Sequence, residues 1–271
     1  VADVDGRSFR EGDVATFLDV HGTCGACYYC LVARESTRCP SRKVYGITYG
    51  LADGLTGGWA EAIHLKPGTR LIRLPEGLSP EVYVAGGCGM VTALHAVDRA
   101  EIRLGDTVAV LGAGPVGQGI VAYAALAGAS EVICIGAPAD RLVFARKMGA
   151  TATFDLSVPA AERLDKVRAL TGGRGADKVI EASGAPEAVS QGLDLLRDGG
   201  RMVVSGHYTD NGPVTVHPHH QINKKHVEVR GSWGSDFSHF YRAAALCART
   251  QDRVPWAEMA TRRFPIDRAT E

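Results

Sequence analysis

The 271-residue sequence predicts an α/β fold: a β-rich N-terminal part followed by a doubly wound parallel sheet. Three observations carry this. Residues 1–80 read as strand and loop, broken by GLTGGW, LKPG and LPEG. From about residue 81 apolar strands alternate with amphipathic helices, the pattern of a parallel sheet with helices on both faces. A Gly112-x-Gly114-x-x-Gly117 loop lies between one such strand and the helix after it.

Taken in order, DVATFLDV and WAEAIHL read as N-terminal strands. EVYVAGGCGMVTALHAVDRA has helical spacing after its glycines. The run from GDTVAVLG to ARKMGA then reads strand, glycine loop, helix, strand, helix. DKVIEASGAPEAVSQGLDLLRDGGRMVVSG repeats strand, helix, strand. HVEVRGSW is a late strand and SDFSHFYRAAALCAR a late helix. FPIDRATE reads as a helix start, with Pro265 before it, Asp267 as its cap and Glu271 in its first turn. The sequence opens without Met inside what reads as a strand, so further residues are expected at both ends.

Lys plus Arg equals Asp plus Glu, which argues against an electrostatic grip on nucleic acid or anionic lipid. No apolar run approaches the roughly 20 residues a membrane helix needs. The opening residues carry no secretory pattern, so a cytoplasmic protein is expected.

The glycine loop has its meaning from context, because it leaves a strand and opens a helix. Gly112 permits the turn, Gly114 lets backbone approach a pyrophosphate, and Gly117 lets helix pack on strand. Pro115 and Val116 open the helix, whose free N–H groups favour phosphate. At the end of the second strand an acid would hold a ribose 2′-hydroxyl. Gly136 stands there instead. Asp140 falls later, in the next helix, and Arg141 could meet a 2′-phosphate. NAD and NADP both remain open, with a lean to NADP because glycine leaves room for the phosphate. Ser183 and Gly206 end strands at the edge where such cofactors bind, and are candidate cofactor neighbours.

Four of the seven cysteines fall in CGACYYCLVARESTRC: Cys24, Cys27, Cys30 and Cys39. Disulfides, a structural metal site, a reactive centre and a nucleic-acid zinc module are all compatible with such a cluster.

GDVATF, Cys24-x2-Cys27-x2-Cys30-x8-Cys39, GGWAEA, GCGMVTALHA, GAGPVG and GSWG together resemble the zinc-dependent medium-chain alcohol dehydrogenase family. The resemblance implies a partial GroES-like catalytic domain over 1–88 and a Rossmann domain over 89–231. A segment returning to the first domain follows over 232–271. It implies reversible oxidation of an alcohol by NAD or NADP, and assembly as a homodimer or homotetramer. The cysteine lobe is structural in that family, where four thiolates close around one tetrahedral Zn²⁺. The last gap is eight residues here against the family's usual seven, an insertion a loop absorbs. Disulfides fit poorly without a secretory signal, and a nucleic-acid module fits poorly without a basic helix. Arg34, Arg38, Arg42 and Lys43 read as a solvated loop around the site.

Cys88 matches the family's third catalytic zinc ligand, and Thr92 a residue lying against the nicotinamide. The family's first two ligands, a Cys and a His in a Gly-His-Glu run, have no counterpart in this sequence. One cysteine cannot hold a catalytic zinc. The chain is therefore expected to hold structural zinc and cofactor without turnover, the parent protein being the dehydrogenase. His21, His217, His219, His220 and His226 read as surface residues. Cys134 and Cys247 read as core, and Tyr28, Tyr29, Trp59 and Trp233 as packing. The substrate class is a small alcohol or carbonyl compound, a polyol or secondary alcohol included. Two alternatives stand beside this reading: a non-catalytic NAD(P)-binding protein, and a zinc-free quinone-reductase-like oxidoreductase.

Overall fold

The computed structural model describes residues 3–269. The chain forms two compact units. One takes the described residues within Val1–Ala85, Ser235–Arg249 and Ala257–Glu271; the other takes Gly86–Gly234 and Thr250–Trp256.

The first unit holds two short antiparallel ladders. β1 (Ala15–Phe17) pairs with a strand over Leu71–Arg73, β4 in chain order, and β2 (Val20–His21) pairs with β3 (Lys43–Val44). Between β2 and β3 lies the cysteine lobe with its single turn of helix, α1 (Tyr28–Leu31), which buries no residue. Tyr28 and Trp59, expected to pack, are instead 66% and 80% exposed. WAEAIHL, residues 59–65, forms no strand. Ile63 and Leu65 are half-buried, but the stretch has no strand to pair with among the described residues, and alternation without a pairing neighbour does not make a strand. At the other end Pro265 caps a 3₁₀ turn over Ile266–Arg268, so Asp267 lies inside the turn and does not cap it. Glu271 lies outside the described residues.

The helix α2 (Pro80–Ala100) runs from one unit into the other and breaks its geometry at Gly87, with φ 48° and ψ −144°. The second unit then alternates strand and helix: β5 (Thr107–Leu111), α3 (Pro115–Leu126), β6 (Glu131–Gly136), α4 (Ala139–Lys147), β7 (Ala152–Asp155), α5 (Ala160–Leu170), β8 (Ala176–Glu181), α6 (Pro186–Leu195), β9 (Leu196–Val204) and β10 (Glu228–Gly231). A last helix, α7, spans Phe237–Thr250. The sheet order is β10-β9-β8-β5-β6-β7, every pair parallel. This is the doubly wound order, with its switch point between β5 and β8. Helices on both faces demand apolar strands, and β5 is buried throughout. Leu111, Ile133, Val179, Leu193 and Met202 share its core. Cys134 and Cys247 are buried, and burial pushes both thiols up to about 12.

A charge network ties α2 to the sheet edge. Buried Arg201 on β9 donates to the Ala100 carbonyl at 3.0 Å and pairs with Glu101 at 2.7 Å and Glu228 at 3.0 Å. Arg230 meets the same two acids. Hydrogen bonds from Arg230 and then Arg201 hold the Glu101 carboxyl down at about 2. Because its folded value is depressed, the pairing contributes above the ordinary carboxylate range and is lost as pH falls through the folded value. Acid titration of stability is expected to fall between about pH 4.5 and 2, and Glu101→Gln to flatten that window. Arg201→Met is expected to cost about 1 to 3 kcal/mol in denaturant unfolding, since it leaves the buried Ala100 carbonyl without its donor, while the half-exposed Glu101 and Glu228 keep Arg230.

Candidate functional site

The lobe brings its four thiols together. Their sulfurs all lie within 4.8 Å of one another. Cys27 and Cys30 Sγ are 3.6 Å apart, Cys24 and Cys39 Sγ 3.6 Å, and Cys27 and Cys39 Sγ 4.0 Å. Zn²⁺ held by four sulfurs at about 2.3 Å sets them about 3.8 Å from each other, so the donor set fits the ion. Backbone amides point at the sulfurs: Cys24 N–H donates to Cys39 Sγ at 3.3 Å and Ala26 N–H to Cys24 Sγ at 3.5 Å. The Ala26 amide, with neighbouring thiols, draws Cys24 down to about 6, whereas desolvation and the same neighbours push Cys30 up to about 12. Such a cluster holds a first thiolate readily and resists further charge until a cation enters. His21 sits nearby on β2, its ring between Tyr49 Oη and the Pro67 carbonyl. That is a structural tether. Arg34, Arg38 and Lys43 are exposed.

The second site is a cleft of about 540 Å³ at the carboxyl ends of β5, β6 and β8. Gly112, Gly114, Gly136, Arg141 and Ser183 line it. Gly112 has φ 119°, and a Cβ there would press on Ala182. A Cβ on Gly117 would lie 1.9 Å from the Gly112 carbonyl oxygen. Gly114 differs: a Cβ there would meet only an Arg141 Nη1 at 4.0 Å, so its space opens to the cleft. That cradle, at the amino end of α3 where Pro115 and Val116 follow, fits a pyrophosphate. Gln118 locks the loop, its Nε2 donating to the Ala113 and Arg141 carbonyls at 3.1 and 2.8 Å. Gly136 is glycine for packing, since a Cβ would lie 2.7 Å from that of Ala113. No carboxylate ends β6, Asp140 lying in the first turn of α4, and the Arg141 guanidinium has no acid partner among the described residues.

Gly206 stands just beyond β9 and touches Gly184 backbone to backbone. Cys88 is exposed beside the Gly87 break, and half-buried Thr92 follows one turn on. Gly89 seats this helix on Pro115 and Val116, where its Cβ would lie 3.1 and 3.3 Å away, so Cys88 and Thr92 stand beside the dinucleotide loop. Among the described residues the four-cysteine lobe is the one group of three or more metal-binding side chains. A second, catalytic metal centre on Cys88 does not fit the residues described. His217, His219, His220 and His226 are exposed.

Sequence reasoning missed Glu181, Arg163 and Gln118. Arg163 is buried at the cleft floor, donating to Leu156 and Gln191 at 3.2 and 2.9 Å. An acid ending an apolar strand, VIE before ASG, was the available signal for Glu181.

One unit carries a doubly wound sheet with an open glycine cradle and the other a closed four-thiol lobe, the two parts of a zinc-binding dehydrogenase of the dinucleotide-binding class. The family model for zinc-binding dehydrogenases matches residues 115–249. The chain is 34% identical to the 5-exo-hydroxycamphor dehydrogenase of Pseudomonas putida, over 99% of this chain and 73% of that protein. An alcohol dehydrogenase structure from Thermotoga maritima superposes with TM-score 0.93 at 34% identity, covering 99% of this chain and 74% of that one. A zinc-binding dehydrogenase structure from Sinorhizobium meliloti bound to NADP gives TM-score 0.81 at 30% identity, covering 97% and 73%. The chain belongs to the zinc-dependent medium-chain alcohol dehydrogenase family. It is an oxidoreductase of the alcohol dehydrogenase type, with Zn²⁺ and NAD(P) as its cofactors and a small molecule as its substrate.

Proposed function

We propose that the chain binds NAD(P) across the β5–β8 switch point, with the nicotinamide end toward Thr92 and Cys88, for oxidation of a secondary alcohol or polyol to a ketone. The observation that supports this most is the seating of Gly89 on Pro115 and Val116, which sets the Cys88–Thr92 turn against the cofactor loop. The hydroxycamphor dehydrogenase relative supports a secondary alcohol by its name.

The bound dinucleotide supplies the hydride acceptor. The chain's part is binding and orientation. Amides at the start of α3 receive the pyrophosphate, and Gly114 keeps the approach clear. The four-thiol site holds Zn²⁺ with no open position and so fixes the lobe. No step is drawn through a second metal. The four-thiol lobe speaks against the zinc-free reductase.

Arg141 leaves a guanidinium at the cleft with no carboxylate at the end of β6 to repel a phosphate, which supports NADP as well as NAD. Titration with NADPH and NADH tests this. Arg141→Ala is expected to weaken NADPH about ten-fold and leave NADH nearly unchanged. Equal loss for both would remove Arg141 from 2′-phosphate recognition. The chain is further proposed to assemble as a homodimer or homotetramer through the open edge of β10, where Val229 is 48% exposed. Light scattering of the chain, with and without Val229→Lys, tests that edge.

A further inference from the structure

We infer that Glu181 is a positioning residue for the cofactor: its carboxylate gathers the loops after β8 and β9 into one rim and so sets dinucleotide affinity. This rests on the cofactor reading of the cleft.

Glu181 ends β8 and is 0% exposed. One oxygen, Oε1, accepts from Ser183 N–H at 2.6 Å, Ser183 Oγ–H at 2.8 Å and Gly184 N–H at 2.7 Å. The other, Oε2, accepts from Gly206 N–H at 3.1 Å. A single buried acid therefore receives donors from two loops that sequence holds 20 residues or more apart, the Gly206 bond spanning 25. The loops it joins have no slack. A Cβ on Gly206 would lie 2.3 Å from Gly184 N, and one on Gly184 would lie 2.8 Å from the Gly206 oxygen. A Cβ on Gly112 would meet Ala182 at 2.8 Å, so the phosphate turn leans on the same junction. Asn211 closes it from outside, its Nδ2 donating to the Gly184 carbonyl at 2.9 Å. Ser183 is also part of the cleft wall.

The acid thus does two things. It gives the Ser183 and Gly184 N–H groups their acceptor, while the Gly206 N–H is shared between its Oε2 and the Glu181 backbone carbonyl at 3.0 Å. It also fixes how far the Ser183 and Gly206 loops stand from the glycine loop, and hence the width of the cleft. Without the carboxylate the Ser183 and Gly184 N–H groups lose their acceptor and the Gly206 loop keeps only its backbone bond to Glu181, so the Ser183 loop is no longer tied to the Gly206 loop through that side chain and the rim loosens.

Glu181→Gln is the sharpest variant, because it keeps volume and removes one acceptor. With its oxygen toward Ser183 and Gly184, its amide N–H₂ faces the Gly206 N–H, donor against donor. The full chain and the variant are titrated with NADH and NADPH, reading Kd and the emission of bound NADH at saturation. The variant is expected to bind at least ten-fold more weakly and to lose part of the emission shift seen with the unaltered chain. A lower melting temperature with unchanged Kd and unchanged bound-state emission would show that Glu181 only holds the fold, and would overturn the inference. If Glu181→Gln does not fold, the Ser183→Ala/Asn211→Ala pair decides. It loosens the same rim from its exposed side and is expected to weaken binding three- to five-fold; wild-type affinity there would overturn the inference. Failure of the unaltered chain to bind either nucleotide is a different result. It would remove the cofactor reading itself, and this inference with it.

Discussion

Gly117→Ala is expected to abolish the dinucleotide cleft, whereas Gly114→Ala, three residues earlier, is expected to leave the fold intact and weaken the cofactor alone. The two glycines share a motif but meet different surroundings. A methyl on Gly117 would sit 1.9 Å from the Gly112 carbonyl oxygen, and backbone cannot yield as a flexible side chain can. Either α3 lifts from β5 or the turn unwinds, at a cost of about 3 kcal/mol or more. Gly114 has φ −74° and ψ −178°, which alanine adopts freely, and no protein atom comes closer than 4.0 Å to the added carbon. Its stability change should stay within about 1 kcal/mol. The methyl would occupy the place of a pyrophosphate oxygen, so NADPH should bind at least about ten-fold more weakly, or 1.4 kcal/mol. Thermal unfolding and NADPH titration of both variants measure this. If Gly114→Ala binds NADPH like the unaltered chain, the cradle is not where the pyrophosphate lies.

Elemental analysis of the dialysed chain is expected to give about one zinc, all of it held by the lobe. Cys39→Ser should lose it, since Cys39 is the buried member of the four and takes the Cys24 amide bond. Structural zinc contributes on the order of 10 kcal/mol of folding free energy. Here that energy orders a lobe whose helix buries nothing. Residues 24–39 should therefore become protease-sensitive, while the sheet of the second unit, which has its own core, keeps its cofactor affinity. Cys88→Ser should leave the zinc content unchanged. Two zincs, one lost with Cys88→Ser, would mean that Cys88 does find partners and that the chain assembles a catalytic centre.

What could be read from sequence depended on how local each cause was. Cys24, Cys27, Cys30 and Cys39 were legible because their spacing, read with the family resemblance, fits four ligands of one metal, and the fold does gather their sulfurs. The parallel strands were legible because burial on both faces leaves an apolar run such as TVAVL or EVICIG. WAEAIHL misled because alternation says nothing about whether a neighbour exists. Trp59 and Tyr28 misled for a related reason: large apolar residues were expected to find cover, and these do not. Gly136 was assigned to cofactor space and does line the cleft; that it also packs against Ala113 across the loop was not visible in the sequence. Glu181 showed only as an acid ending an apolar strand; its meaning lies in donors from Ser183, Gly184 and Gly206, and the last of these only the folded sheet brings near.

The order of the sheet also bears on how the protein reaches its fold. Strands β5, β6 and β7 follow one another along the chain, as do β8, β9 and β10, so each half can form from nearby segments. The seam between β5 and β8 is different: the Thr107 amide there bonds Asp177, 70 residues away. Loop closure of that length is slow compared with local pairing. The glycine cradle lies on one side of that seam and the Ser183 loop on the other, so the binding surface is expected to form late. In a refolding experiment, recovery of the far-ultraviolet signal should precede recovery of nucleotide capture, and the interval between them times the closing of the two halves.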